Sequence, residues 1–290
     1  MTQSPDSPTA ARHTATKVAL AIGVPIVGLV AFVLLWLAWI ELFVDSSSFL
    51  ADWSPRLALP ELRDLLASGD LNRHMTASVK RIVVGLGIAI VVGIPLGMAM
   101  GGFRIFNLAA TPATAFLRMV SPLSWTPLAI ILFGVGDSPV YFLTAIGAVW
   151  PITLSTAAGV SALDRDWLML SRSLGATRFE TLRTIVWPGI RNEVLTGIRL
   201  GMTTAWIILV PAEMLGVDSG LGFFILDARD RFNYPEVVAA IIVIGVIGII
   251  LDRIAHYLLT PRRRERTRPS VAASMPAMQA GPVARQQYRI

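Results

Sequence analysis

Long uncharged apolar stretches alternate with short charged segments along most of this chain. A helix needs roughly 20 apolar residues to cross a hydrocarbon core about 30 Å thick, and its backbone groups must pair within the helix. Stretches of about this length cover residues 18–40, 82–103, 119–136, 138–163, 195–215 and 237–259. The pattern therefore predicts an all-α integral membrane protein with six transmembrane helices.

The second predicted span carries a small residue at every fourth position. These residues are Gly85, Ala89, Gly93, Gly97 and Gly101. A helix face without bulky side chains allows another helix to approach closely. We interpret the stripe as a packing surface, within the bundle or between protomers, and not as a ligand site.

The segments outside the spans divide the chain into three parts. Residues 1–17 form an N-terminal tail, residues 18–259 the transmembrane domain and residues 260–290 a basic tail. The basic tail shows no apolar period, so we expect no defined structure there. Within the domain, polar residues 45–80 predict an external loop with an amphipathic surface helix around residues 62–71.

Composition and charge narrow the class of protein. The chain is 54% hydrophobic and 15% charged, which departs from the balance of a soluble domain. The net charge of +6 is that of residues 260–290, which hold seven arginines and one glutamate. A basic cluster directly after a span indicates orientation or contact with anionic lipid, not nucleic-acid binding. The absence of cysteine excludes disulfides, thiolate metal sites and thiol catalysis.

Charges beside the first span predict its orientation. Arg12 and Lys17 precede the span whereas Glu41 and Asp45 follow it, which places the N-terminus in the cytoplasm. Six crossings then place the C-terminus in the cytoplasm as well. The apolar stretch at residues 18–40 is longer than the apolar core of a signal peptide, which has about 7–15 residues. We therefore interpret it as a transmembrane helix and not as a cleaved signal.

The loop between the fourth and fifth spans begins with the signature of a short helix. Ser161 and Asp164 resemble a capping box, and Gly175 stands where a helix-ending glycine belongs. Apolar residues at helical spacing form one face, namely Leu163, Trp167, Leu170 and Leu174. If that face packs on the bundle, Leu168 and Met169 remain exposed to a partner.

A second helix signature follows directly. Thr177 and Glu180 form a capping box, in which each side chain bonds a backbone amide of the new helix. We expect this helix to end at Pro188, because proline lacks an amide proton and clashes with the preceding turn. The prediction is a helix–glycine–helix hairpin at the inner face of the membrane, which a soluble partner can grip.

Residues 161–190 resemble the coupling loop of binding-protein-dependent ABC importer permeases. The signature of that loop is Glu-Ala-Ala, three residues, Gly, nine residues, then Ile-x-Leu-Pro. The matching positions are Gly175, Ile185 and Pro188, and the departures are Met169, Leu170, Ser171 and Trp187. The resemblance extends over residues 71–259. Within this range, residues 121–127, 145–153 and 205–222 resemble the branch of these permeases that carries nitrate, sulfonate, taurine and bicarbonate.

The resemblance implies a type I ABC importer permease, a multi-pass protein of the bacterial inner membrane that carries a small anion. Its implied partners are a second, identical permease copy, a cytoplasmic ABC ATPase dimer and a periplasmic or lipid-anchored solute-binding protein. ATP and Mg belong to the ATPase, since this chain lacks a G-x-x-x-x-G-K-[ST] loop and is expected to bind no cofactor or metal. The residues expected to couple to the ATPase are Asp164, Trp167, Leu168, Met169, Ser171, Leu174, Gly175, Ala176 and Phe179.

Polar and aromatic residues in the spans are candidates for the translocation path or its gate. They are Ser124, Trp125, Trp150, Thr153, Thr204, Glu213 and Met214. The tryptophans can equally be interfacial anchors and the hydroxyls can stitch helices together. Glu213 lies at membrane depth, where a carboxylate is expensive, and either shapes an outer gate or pairs with Arg118 or Arg199.

Three cations on the predicted outer side oppose the orientation rule, namely Arg73, Lys80 and Arg81, and we expect them to snorkel to the headgroups. The spans show no cage of lysines and arginines, so we expect substrate selectivity to reside mainly in the binding protein.

Two other classes of membrane protein stay open. A carrier or channel driven by an ion gradient needs broken helices or intramembrane acids, and a membrane-embedded enzyme needs converging catalytic groups.

Overall fold

The computed structural model describes residues 33–44 and 52–259, together with positions 24, 27, 28, 30 and 31. These residues form helices and turns and contain no strand, which agrees with the predicted all-α class. Both predicted tails and most of the first predicted span lie outside the described residues.

The helices follow one another with short connections. Their bounds are α1 Val33–Phe43, α2 Pro55–Ser68, α3 Asp70–Gly102, α4 Arg104–Met119, α5 Thr126–Phe133, α6 Asp137–Ser161, α7 Arg165–Ser173, α8 Arg178–Thr181, α9 Trp187–Glu213, α10 Leu221–Asp230 and α11 Tyr234–Leu259. A 3-10 turn at Pro122–Trp125 precedes α5, and a π turn at Leu182–Val186 joins α8 to α9.

Helices α3, α6 and α9 form the centre of the bundle. Their buried side chains make one apolar cluster that includes Ile82, Leu143, Ile152 and Leu209. A second cluster joins α2, α10 and α11 and includes Leu65, Phe224 and Val243. The uncharged stretches of these helices therefore pack together in two apolar clusters.

The stripe of small residues on α3 faces α6, which confirms that it is a packing surface. A Cβ added at Gly85 would lie 2.8 Å from Thr144 Cβ, and one at Gly93 would lie 3.0 Å from the Ile152 side chain. At Gly97 the nearest atom is the Thr153 carbonyl oxygen, at 2.5 Å. The two helices are close enough that only glycine fits at these crossings.

The start of α3 differs from the prediction. The helix begins at Asp70 and not near residue 82, after Gly69 makes the turn from α2 with φ +81. Polar residues 70–81 stay helical because Ser78 and Arg81 bury their side chains against groups of other helices. The predicted surface helix is α2, which packs on α11 and starts earlier than expected, at Pro55.

The third predicted span is a broken helix pair. Helix α4 ends at Met119, and the pair Arg104–Met119 and Pro122–Phe133 bends by 91°. Val120 and Ser121 adopt extended backbone, as expected before Pro122, which also removes an amide donor. The prediction of one continuous span over residues 119–136 is therefore wrong.

By length and composition, four described helices can cross a membrane, or five if the bent pair counts as one span. The four are Asp70–Gly102, Asp137–Ser161, Arg178–Glu213 and Tyr234–Leu259. The described part of the first predicted span is the shorter apolar helix Val33–Phe43. A sixth span stays a prediction.

The helix that begins in the loop does not end at Pro188. The π turn at Leu182–Val186 widens the backbone, with the Trp187 amide donating to the Leu182 carbonyl five residues back. This turn accommodates the proline ring and its missing donor without a break. Helix α8 therefore continues through the π turn into α9, and the predicted boundary is wrong.

Candidate coupling loop and translocation path

Helix α7 starts at a cap made by an aspartate. Asp164 Oδ1 accepts a hydrogen bond from the Asp166 amide at 2.9 Å. The predicted pairing of Ser161 with Asp164 is wrong, because α6 extends to Ser161 and leaves the capping position to Asp164. A side-chain acceptor at this position satisfies one of the amides that a helix start leaves unpaired.

Gly175 ends α7 as predicted. Its φ is +76, and its amide donates to the Arg172 carbonyl while the Ala176 amide donates to the Ser171 carbonyl, each at 3.0 Å. These two bonds are those of a Schellman motif, which favours glycine because of its left-handed backbone. The turn between the two loop helices is therefore fixed by one residue.

The predicted capping box of α8 is present. The Thr177 amide donates to Glu180 Oε2 at 2.7 Å, and the Glu180 amide donates to Thr177 Oγ1 at 3.2 Å. With the Gly175 turn before it and the π turn after it, this box holds the hairpin in one shape.

The tip of the hairpin carries exposed apolar side chains, which we call the coupling patch. Its members are Trp167, Met169, Leu170, Leu174 and Phe179. Leu174 is 77% exposed and Phe179 is 69% exposed. Clusters of exposed apolar side chains of this size are typical of protein or membrane contact sites.

The orientation of α7 differs from the prediction. Trp167, Leu170 and Leu174, the expected inward face, are exposed, whereas Leu168 is half-buried and Ser171 is buried. Ser171 Oγ donates to the Leu168 carbonyl and lies 3.3 Å from Thr181 Oγ1 of α8. A small hydroxyl side chain allows α7 and α8 to approach, so Ser171 and Leu168 turn inward while the large apolar side chains and the charged residues of α7 are exposed.

Glu213 lies at the other end of the bundle, in a buried charge cluster. Glu213 is 0% exposed, and its Oε1 accepts from Arg81 Nη1 at 2.9 Å. Arg81, 1% exposed, also donates to Asp137 Oδ1 from Nε at 2.9 Å and from Nη2 at 2.7 Å. Ser78 Oγ lies 2.8 Å from both Glu213 oxygens. One guanidinium thus joins α3, α6 and α9.

The chain between α9 and α10 closes over this cluster. Arg81 donates to the Ser219 carbonyl at 2.6 Å, and the Gly222 amide donates to Glu213 Oε2 at 3.0 Å. Gly220 has φ +107, and a Cβ there would lie 2.5 Å from Glu213 Cδ. The Gly-Leu-Gly sequence at 220–222 therefore lets the backbone contact the charges directly.

Two predictions about these charges are wrong. Glu213 pairs with Arg81, and neither Arg118 nor Arg199 is its partner. Arg81 does not snorkel to the headgroups, because Asp137 and Glu213 supply its counter-charges inside the bundle. The sequence did not identify Arg81 as the partner of Glu213. The signal that a partner exists is the carboxylate itself, because ionisable residues within membrane spans usually pair with an opposite charge.

The other predicted path residues separate in space. Trp150 and Thr204 line one cavity, described below, whereas Thr153 is fully buried in the contact between α3 and α6. Trp125 packs against the central apolar cluster, and Ser124 is exposed on the 3-10 turn. Met214, half-buried, caps the end of α9 beside the charge cluster.

The cavity has a volume of about 290 Å³ and lies at the break after α4. Its walls come from α4, the 3-10 turn, α6 and α9, and its lining residues are Arg118, Val120, Pro122, Gly147, Trp150, Pro151, Leu154, Thr204 and Ile208. Among the described residues, no group of three or more His, Cys, Asp or Glu side chains is arranged to hold a metal ion.

Comparison with known proteins identifies the class. Residues 89–265 match the family described as binding-protein-dependent transport system inner membrane component. The chain belongs to this family. It is the permease component of an ABC importer, which decides between the classes left open by the sequence.

Three relatives indicate to which branch of the family this chain is similar. The bicarbonate transport system permease CmpB of Synechococcus elongatus is 31% identical over 81% of this chain and 87% of its own length. The nitrate import permease NrtB of Synechocystis is 34% identical over 65% and 68%. The taurine transport system permease TauC of Escherichia coli is 34% identical over 65% and 70%. This supports the predicted nitrate, taurine and bicarbonate branch.

A solved structure supports the fold. An inward-facing conformation of the MetNI methionine ABC transporter matches with a TM-score of 0.53 and 16% identity, over 66% of this chain and 96% of that chain. At this identity the likeness concerns the fold, and it agrees with the predicted type I importer architecture.

Proposed function

We propose that the permease carries a small oxyanion inward and is driven by a separate cytoplasmic ABC ATPase, which binds ATP and Mg. The coupling patch is the observation that carries this proposal, because it presents large apolar side chains on a hairpin of fixed shape. The relatives are permeases for bicarbonate and nitrate, which are oxyanions, and for taurine, which contains a sulfonate.

Motion of the hairpin can reach the charge cluster through two stiff helices. Helix α8 continues through the π turn into α9, which ends at Glu213. Helix α6 ends at the hairpin and begins at Asp137. Both helices that leave the loop thus carry a carboxylate bound to Arg81 at their far ends. Closure of the ATPase would move α6 and α9 as rigid bodies and open or close the path.

The remaining components follow from the family and the charges. A second, identical copy completes the path, and a periplasmic or lipid-anchored binding protein delivers the solute at the end opposite the hairpin. The hairpin and both termini face the cytoplasm, since basic residues precede residue 18 and follow residue 259. The membrane is the bacterial inner membrane, with anionic lipid beside the basic tail.

Charged substitutions in the coupling patch are expected to release the ATPase. Phe179→Glu or Trp167→Glu places a carboxylate where an apolar pocket of the partner is expected, and a lost anchor of about 2 kcal/mol weakens binding about 30-fold. The measurement is the amount of ATPase that co-purifies with the tagged permease from membranes.

A matched control lies at the opposite end of the bundle. Phe232 is 76% exposed, close to the 69% of Phe179, so Phe232→Glu makes the same chemical change away from the patch. We expect this variant to retain the ATPase. Equal retention by Phe179→Glu, Trp167→Glu and Phe232→Glu would contradict the docking role of the patch.

Gly175→Val is expected to uncouple transport. A β-branched residue at φ +76 is strained by roughly 1–2 kcal/mol, whereas no atom lies within 4 Å of an added Cβ, so the effect acts through the backbone. Gly175→Asn is the control, because asparagine tolerates this conformation. The measurement is solute transported per ATP hydrolysed in proteoliposomes. A valine variant with the wild-type ratio would show that the turn geometry does not matter.

A further inference from the structure

We propose that the cavity at the break after α4 is a transit site for organic oxyanions, with Arg118 as the counter-charge. The proposal rests on the function proposed above and places part of the selectivity in the permease itself.

The broken helix pair is the first reason. Backbone that leaves the helical ladder within a membrane-spanning region is tolerated where it is buried in protein or lines a water-filled cavity. Val120 and Pro122 belong to the break, and both line the cavity together with residues of α6 and α9. The 91° bend therefore opens a concave site between three helices, one of which, α9, continues from the hairpin.

The charge of the lining is the second reason. Arg118 lines the cavity, and the described residues offer its guanidinium no hydrogen bond or ion pair. Arg81, by contrast, has two carboxylate partners. The lining contains no aspartate or glutamate. Arg118 is itself an exposed residue, so its guanidinium is open to solvent as well as to a solute that enters this mainly apolar site, and an unpaired cation there attracts an anion.

One further hydrogen-bond donor and the apolar walls of the cavity indicate the class of anion. Trp150 also lines the cavity, and the described residues supply no acceptor for its indole N–H. The Thr204 hydroxyl donates to the Leu200 carbonyl at 2.9 Å and is therefore not a free donor, whereas Pro122 and Ile208 add apolar surface. One guanidinium with apolar walls suits a sulfonate on a short carbon chain better than nitrate. A single cation also binds weakly enough for release, which transport requires.

Gly147 keeps the cavity open. A Cβ there would meet Ile208 Cδ1 and lie 3.4 Å from Pro122 Cγ. Gly147→Ala therefore narrows the space between α6 and Ile208 of α9 without changing any charge. This substitution tests the volume of the site separately from its charge.

The test measures binding and transport separately, with ethanesulfonate as the probe. Saturation-transfer NMR on the permease–ATPase complex, purified without the binding protein, is expected to show binding to the wild type that falls roughly tenfold or more in Arg118→Gln. Arg118→Lys should restore part of the signal, and Gly147→Ala should weaken it. Arg104→Gln, at the other end of α4, is the control and should bind like the wild type.

The same variants are then assayed for ATP-dependent uptake of ethanesulfonate and nitrate by the complete transporter in proteoliposomes. Arg118→Gln should lower ethanesulfonate uptake more than nitrate uptake. Wild-type binding and uptake in Arg118→Gln would overturn the site while leaving the importer function intact. Absence of uptake of either anion by the wild type would instead count against the proposed substrate class, and the NMR comparison would still decide the site.

Discussion

Arg81→Ala is expected to destabilise the permease by about 3–5 kcal/mol, because it leaves Glu213 buried without a counter-charge. Glu213 is 0% exposed and cannot regain water without the helices parting. For a domain of this size, the loss corresponds to a fall of about 6–20 °C in the melting temperature in detergent. Thermal unfolding monitored by circular dichroism measures this effect.

Two further variants separate burial of charge from loss of packing. Glu213→Gln should be milder than Arg81→Ala, because Arg81 keeps Asp137 and the Ser219 carbonyl as partners. Arg81→Met combined with Glu213→Leu should recover stability relative to Arg81→Ala, since apolar side chains of similar size replace the buried pair. The remaining carboxylate, Asp137, has a side chain that is 40% exposed and can be hydrated.

An exposed ion pair supplies the control. Arg229 contacts Asp230 at 2.8 Å, but the two side chains are 59% and 67% exposed. Arg229→Ala should therefore cost about 1 kcal/mol or less. Similar losses for Arg81→Ala and Arg229→Ala would show that the buried cluster does not hold α3, α6 and α9 together.

The same cluster shows where sequence reasoning stops. Glu213 is recognisable as costly from its position at the end of an apolar stretch. Its partner is not, since Arg81, Arg118 and Arg199 all flank spans and differ only in where the folded helices place them. Pairing across the bundle depends on helix rotation and depth, which one chain's hydropathy does not specify.

Features that depend on neighbouring residues in the sequence were predicted better than contacts between distant helices. Gly175 and the Thr177–Glu180 box were predictable because their contacts lie within a few residues. The stripe on α3 was predictable because close helix packing admits only small residues. The inward face of α7 was not, because Trp167, Leu170 and Leu174 are exposed and Ser171 is the residue buried, beside Thr181 of α8. Hydrophobic periodicity reports an apolar face without saying whether the bundle or a partner covers it.

Gly97→Val is expected to disrupt the packing of α3 on α6, the second large effect. The added Cβ would lie 2.5 Å from the Thr153 carbonyl oxygen and 2.6 Å from Thr156 Cβ. A backbone oxygen cannot rotate away, so the two helices must separate and the neighbouring glycine contacts loosen with them. Overpacking of this kind typically costs about 1–3 kcal/mol, and more where the backbone must move.

Gly87→Val is the matched control, because it makes the same substitution in the same helix at a position with no atom within 4 Å of an added Cβ. Helix propensity and membrane insertion change alike in both variants, so a difference in melting temperature in detergent isolates the contact with α6. We expect Gly97→Val to lose at least several degrees more than Gly87→Val. Equal losses would assign the effect to the helix itself. Because α6 also connects the hairpin to Asp137, a loosened α3–α6 contact should lower the transport obtained per ATP in the Gly97 variant even where folded protein remains.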